Sequence, residues 1–132
     1  MAQLGDSFYS YFEQLSQEPK QRKAFLICPV RGQSVGGTAH IVYKLEAEGW
    51  KVHWPHRDTK QDDSTGYHIC KVNCAAIADA DIVFVVWDGQ SQGCLFDLGI
   101  AFALNKPVQI ISLPELTKGK SFQNMVTEWA NR

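Results

Sequence analysis

Short apolar runs alternate along this chain with longer stretches whose apolar residues recur every three or four positions. The runs fall at residues 23–28, 50–54, 82–87 and 108–111. Residues 82–87 are β-branched or aromatic and continuously apolar, the signature of a strand buried on both faces. Residues 50–54 alternate and read as a second, half-buried strand. Between the runs lie helical patterns: Ile41, Val42 and Leu45; Ile69, Val72 and Ala76; the dense apolar stretch 94–104; and Phe122, Met125, Val126 and Trp129. Before the first run, Phe8, Tyr11, Phe12 and Leu15 form one stripe at i, i+3, i+4, i+7, with Asp6 or Ser7 as cap and Glu18-Pro19-Lys20 as stop. That helix either covers the sheet or its edge, or serves as an arm onto a second subunit.

Residues 80–112 organise the rest. An apolar strand, a polar turn (Asp88 to Gly93), a helix over 94–104 closed by Asn105 and Pro107, and a further apolar run make a strand–helix–strand crossover. Four strands separated by helices predict one α/β domain, a flavodoxin- or Rossmann-like three-layer sandwich. Its parallel sheet takes the order 2-1-3-4, with a fifth strand as an option, and strands 1 and 3 are central. Such sheets bind ligands beyond the carboxyl ends of their strands. Asp88 to Gly93 lie there, and Asp97 comes one helical turn later.

The loop after the first strand, residues 29–37, holds three glycines, a proline and Arg31. Backbone N–H groups and the following helix N-terminus suit an anion. The spacing matches neither a Walker A loop nor Gly-x-Gly-x-x-Gly, so a plain surface turn competes. Residues 55–66 form a long polar loop of the kind that often carries function; His53 and His56 face either a ligand or only solvent. Cys70 and Cys74 stand at i, i+4 with His68 nearby, but no fourth zinc ligand has the right spacing, and two core thiols are the simpler reading.

Composition adds exclusions. The chain has 132 residues, enough for one core, a formal net charge of −1 and a sequence pI of about 6.4. It lacks the basic footprint of a nucleic-acid binder. No run reaches the roughly 18 apolar residues of a membrane span, and no secretory signal is visible. Cys28, Cys70, Cys74 and Cys94 then read as reduced thiols in a cytoplasmic protein.

Three segments carry a family resemblance. They are Phe25-Leu26-Ile27-Cys28-Pro29-Val30-Arg31-Gly32, then Ala80-Asp81-Ile82-Val83-Phe84-Val85-Val86, and then Ser91-Gln92-Gly93-Cys94-Leu95-Phe96-Asp97-Leu98-Gly99-Ile100-Ala101 with Lys106-Pro107 following. On these, residues 24–126 resemble the nucleoside 2-deoxyribosyltransferase superfamily, in particular its nucleoside 5′-monophosphate N-glycosidase branch. The resemblance divides the chain into an N-terminal helical extension, 1–22, and a deoxyribosyltransferase-like domain, 23–132. It implies a carboxylate nucleophile at Asp97, where the family has Glu. It implies a base-binding or base-protonating group at Asn73, where the family has Asp. A ligand pocket follows from Cys28, Arg31, Gly32, Trp87, Asp88, Ser91, Gly93 and Asp97. Ser91 with Arg31-Gly32 sides with the phosphate-binding branch. Leu95 replaces a smaller residue common in the hydrolases.

The resemblance implies a small-molecule nucleoside or nucleotide as partner, and neither a cofactor nor a metal. It also implies a homodimer or higher homo-oligomer, with Ser121, Asn124 and Met125 of one chain finishing the other chain's site. Enzymatic cleavage or exchange of an N-glycosidic bond is one reading. A nucleotide-binding or sensor module with little turnover is the other, favoured by Asp for Glu and Asn for Asp. A TIR-like NAD hydrolase would place Glu at the site, and a flavodoxin-like carrier would need a Ser/Thr-rich loop after the first strand.

Overall fold

The computed structural model describes residues 21–30 and 34–132, the side chains of 34–36 aside. The helix expected over the N-terminal extension therefore lies outside the described residues. The elements, in order, are β1 (Lys23–Ile27), α1 (Ser34–Ala47), β2 (Lys51–His53), α2 (Pro55–Asp58), α3 (Tyr67–Asp79), β3 (Ile82–Val86), α4 (Gln92–Ala103), β4 (Val108–Ser112) and α5 (Phe122–Ala130). All strand pairs are parallel, in the expected order β2-β1-β3-β4.

The sheet has a core on each face. Phe25, Ile27, Val83, Val85 and Trp87 pack with Ile77 of α3, Cys94, Leu98 and Ala101 of α4 and Val126 of α5. Ala24, Leu26, Cys28, Val52, Trp54 and Phe84 pack with Val42 and Leu45 of α1 on the opposite face. The strands β1 and β3 contribute to both, which is why their sequences are apolar without alternation. Gly49 and Asn105 end α1 and α4 in the left-handed region, at φ 100° and 54°, as helix-closing residues do.

The loop expected over 55–66 opens with the short helix α2. Pro55 supplies the φ of a first helical turn, and Asp58 Oδ2 accepts the Trp54 N–H at 2.8 Å. Beside it, Arg57 spreads its guanidinium over both oxygens of Glu46 (3.0 and 3.3 Å), both of Asp58 (2.8 and 3.0 Å) and the Val52 carbonyl (3.0 Å). The loop after β3 is equally constrained. Asp88 Oδ1 accepts the N–H groups of Gln90 and Ser91 at 2.9 and 2.8 Å, and Trp87 Nε1 donates to the Ser91 carbonyl at 3.2 Å.

Gly89 turns this loop at φ +81°, and a Cβ there would meet Pro114 Cγ at 2.9 Å. Left-handed backbone and steric conflict act together, so Gly89→Ala is expected to cost about 1–3 kcal/mol. A urea unfolding midpoint equal to that of the parent chain would refute this.

Candidate active site

Parallel pairing brings the ends of β1, β2 and β3 to one edge. Cys28 follows β1, Trp54 follows β2, and the loop 87–91 follows β3 into the N-terminus of α4. Ser91 caps α4: its Oγ accepts the Cys94 N–H at 3.4 Å. Helix geometry then leaves the Gln92 and Gly93 N–H groups without intrahelical partners. They open onto a cleft of about 730 Å³ lined by Pro29, Val30, Gln61, Thr65, Asp88, Gln90, Ser91, Gln92 and Gly93. A second cleft of about 450 Å³ shares Val30, Gln61 and Thr65 with it and continues past His56, Asp63 and Ile69.

Asp97 lies one turn below this edge and is only 8% exposed. A helical side chain leans over the turn before it, here the turn of Gly93; Asp97 itself lines neither cleft. Asp97 has no hydrogen-bond or ion-pair partner among the described residues. Burial pushes its carboxyl up to about 7 from the ordinary 3.8. Its surroundings explain this. Cys28 and Cys94 are buried, and their thiols are pushed up to about 12 and about 11, chiefly by burial and in part by Asp97's own charge. Both stay neutral thiols near pH 7 and supply no charge to hold a carboxylate. Trp54 Nε1 is likewise buried without a hydrogen-bond partner among the described residues, close enough to Cys28 to offset part of that rise.

The expected residues divide by position. Asp88, Ser91 and Gly93 line the cleft, whereas Cys28 and Asp97 are buried and line neither cleft. Trp87 is buried at 5% exposure and props the loop through its indole N–H. Arg31 and Gly32 lie outside the described residues. Asn73 is buried in a chain of hydrogen bonds: Thr59 Oγ1 donates to its Oδ1 at 2.7 Å and lies 2.8 Å from His53 Nε2. His53, stacked on Phe25 at 5.3 Å, thus joins a structural link between β2 and α3, and burial lowers its pKa.

At α5, Ser121 Oγ accepts the Asn124 N–H. Asn124 Nδ2 donates to the carbonyls of Thr117 and Gly119 at 2.8 and 2.6 Å, while its Oδ1 accepts the Thr117 N–H at 3.0 Å. Met125 packs against the core and borders a groove with Phe102 and Trp129. Sequence reasoning left out Trp54, Cys94, Gln61 and Thr65. The polar loop 55–66 was a signal for Gln61 and Thr65, and the helical spacing i, i+3 one for Cys94 beside Asp97; nothing in the sequence marked Trp54 as a neighbour of Cys28.

The raised Asp97 pKa fixes the sign of a stability effect. Between about pH 4 and 7 the native state holds a proton that the unfolded state has lost, so this group's contribution falls as pH rises through 7. Asp97→Asn is therefore expected to stabilise the fold by about 2–4 kcal/mol at pH 8. The gain should shrink toward zero near pH 4. A gain independent of pH in thermal melts would contradict the buried, unpaired carboxylate.

A comparison with curated proteins returned no match. Among solved structures, the CMP N-glycosidase BcmB of Clostridium botulinum shares the fold, with a TM-score of 0.60 at 19% identity over 80% of this chain and 81% of that one. A family profile described as nucleoside 2-deoxyribosyltransferase matches residues 29–125, a span that takes in the cleft, Asp97 and the start of α5. With well over half its length matched, the chain belongs to the nucleoside 2-deoxyribosyltransferase family.

Proposed function

We propose that this chain binds a nucleoside or nucleoside 5′-monophosphate in the cleft at the start of α4 and cleaves or exchanges its N-glycosidic bond. The observation that carries the reading is the buried Asp97 carboxylate, without a partner among the described residues, one helical turn after Gly93. In its ionised form Asp97 attacks the anomeric carbon. The bond to the base breaks, and its electron pair leaves with the base, which takes up a proton. Water then hydrolyses the glycosyl ester, or a second base displaces it. The free N–H groups of Gln92 and Gly93, the Ser91 hydroxyl and the α4 dipole favour an anionic 5′-substituent at the cleft. Family membership supports the same class of reaction, as does likeness to a fold that in another protein serves as a CMP N-glycosidase.

A second reading is a nucleotide-binding module with little turnover. Asn73 favours it. Its amide cannot give up a proton as a carboxyl group does, and its Oδ1 is occupied by Thr59.

Assembly belongs to the proposal. Phe96, Leu116 and Phe122 are 53%, 57% and 56% exposed, and Phe122 lies edge-on to Trp87 at 6.5 Å. These apolar groups near the site suit a two-fold contact between copies. Ser121 and Asn124 serve their own chain, so the contact would be apolar around Phe122 and Leu116. A homodimer is expected; a mass near 14.8 kDa by light scattering at micromolar concentration would exclude it.

Release of free base from nucleosides and their 5′-monophosphates, followed by chromatography, tests the enzyme. Activity should rise with pH and level off above about 7, because the nucleophile must be ionised. Asp97→Ala should lower turnover by at least about 10²-fold while nucleotide binding persists. No base release from the parent chain, with binding intact, would leave the binding-module reading. Undiminished turnover in the variant would remove Asp97 from the mechanism.

A further inference from the structure

Gln61 stands where the two clefts join: it lines both, as do Val30 and Thr65. Its Nε2 donates to the Pro55 carbonyl at 3.0 Å and to the Thr59 carbonyl at 2.9 Å. Only the NH₂ end of an amide can bond two carbonyls, so the orientation of this side chain is fixed. Both hydrogens are used, and Oε1 has no partner among the described residues. Thr65 Oγ1 accepts the Tyr67 N–H at 3.3 Å, and its own hydrogen has no acceptor among the described residues. The junction thus offers one fixed acceptor, Gln61 Oε1, and one hydroxyl that donates or accepts.

The amide is held in advance. Thr59, whose carbonyl it bonds, is buried; its hydroxyl donates to Asn73 Oδ1 at 2.7 Å and lies 2.8 Å from His53 Nε2. Pro55 opens α2, which Asp58 and Arg57 fasten to Trp54 and Val52. With two anchored carbonyls holding it, Gln61 loses little rotamer freedom when a ligand arrives.

The other end of the larger cleft decides what reaches Gln61. The lining runs from Ser91, Gln92 and Gly93 at the start of α4, past Pro29 and Val30 after β1, to Gln61 and Thr65 in the segment between α2 and α3. Strand β1 lies between β3 and β2, so this path crosses two strand spacings, about 10 Å. A 5′-monophosphate on the N–H groups of Gln92 and Gly93 directs the rest of the nucleotide toward Gln61. A base with an exocyclic amino group beside a ring nitrogen, such as cytosine or adenine, brings a donor to Oε1. A base with a keto group there, such as uracil or hypoxanthine, brings a second acceptor, and two lone pairs oppose each other.

We propose that Gln61 sets the base specificity of this site: its Oε1 selects nucleotides whose base carries an exocyclic amino group over their keto counterparts. The inference rests on the nucleotide-site reading given above.

Surface plasmon resonance on the immobilised full chain tests it, with CMP, UMP, AMP and IMP in flow so that turnover does not deplete them. The parent should bind CMP more tightly than UMP, and AMP more tightly than IMP, each by at least about fivefold, the effect of one hydrogen bond. In Gln61→Leu both ratios should fall to about one. A role confined to bracing the loop would weaken all four ligands alike and leave the ratios standing, which would refute the assignment. Purine riboside 5′-monophosphate has a hydrogen where AMP has its amino group, and its test needs no variant. It should bind the parent at least about fivefold more weakly than AMP; equal binding would overturn the proposal. Equal affinities within each amino/keto pair would overturn it too, with nucleotide binding intact. Binding of none of the four would overturn the nucleotide-site reading itself, and this inference with it.

Discussion

The pairing of β1 with β3 is the constraint on which the rest of this structure depends. The two strands run parallel, with Ala24 to Ile27 opposite Ile82 to Val85. No tight turn joins parallel neighbours, so the chain must cross back along the sheet between them. Each crossing carries a helix, and each strand then ends at the same edge. Cys28, Trp54 and the loop 87–91 meet there for that reason, although more than fifty residues separate the first from the last. The buried side chains of both central strands lock the pairing, and Asp97 inherits its position from it.

That position has a cost in stability. A carboxylate kept from water needs either a cation or a set of hydrogen-bond donors to stay ionised at neutral pH. Asp97 has neither among the described residues, and its neighbours Cys28 and Cys94 are thiols too buried to ionise. The native state therefore bears the cost of this arrangement as a carboxyl that burial pushes up to about 7. The anchoring elsewhere is correspondingly firm: Asp88 clamps its loop with two backbone bonds, and Asn73, Thr59 and His53 tie the second crossover to the sheet.

The fold was legible in the sequence because periodicity reports burial directly. The unbroken run 82–87 and the alternating run 50–54 gave the central and edge strands, and right-handed crossovers gave their order. Helix α2 was missed because four residues are too few to show a period; only Pro55 hinted at it. The placing of Ser91, Gly93 and Asp97 together at the start of α4 was legible because they sit in one short local segment. The hydrogen bonds of Asn73, Ser121 and Asn124 were not, since what a side-chain amide or hydroxyl bonds depends on partners such as Thr59 or Thr117, brought near by loops that carry no pattern. The closeness of Cys28 to Asp97 is likewise a product of tertiary packing, invisible along the chain.

Arg57 has an effect beyond its own neighbourhood. In a parallel pair, alternate residues of the edge strand turn their backbone groups outward. Lys51 donates its N–H inward to Arg22, so Val52 faces out, and its carbonyl is the acceptor that Arg57 occupies. Glu46 and Asp58 hold the guanidinium in place over that carbonyl. A sheet of four strands, with a three-residue strand at its border, would otherwise invite a stray chain to extend it. The fork of one arginine thus occupies, on the β2 edge, a backbone acceptor that an added strand would use.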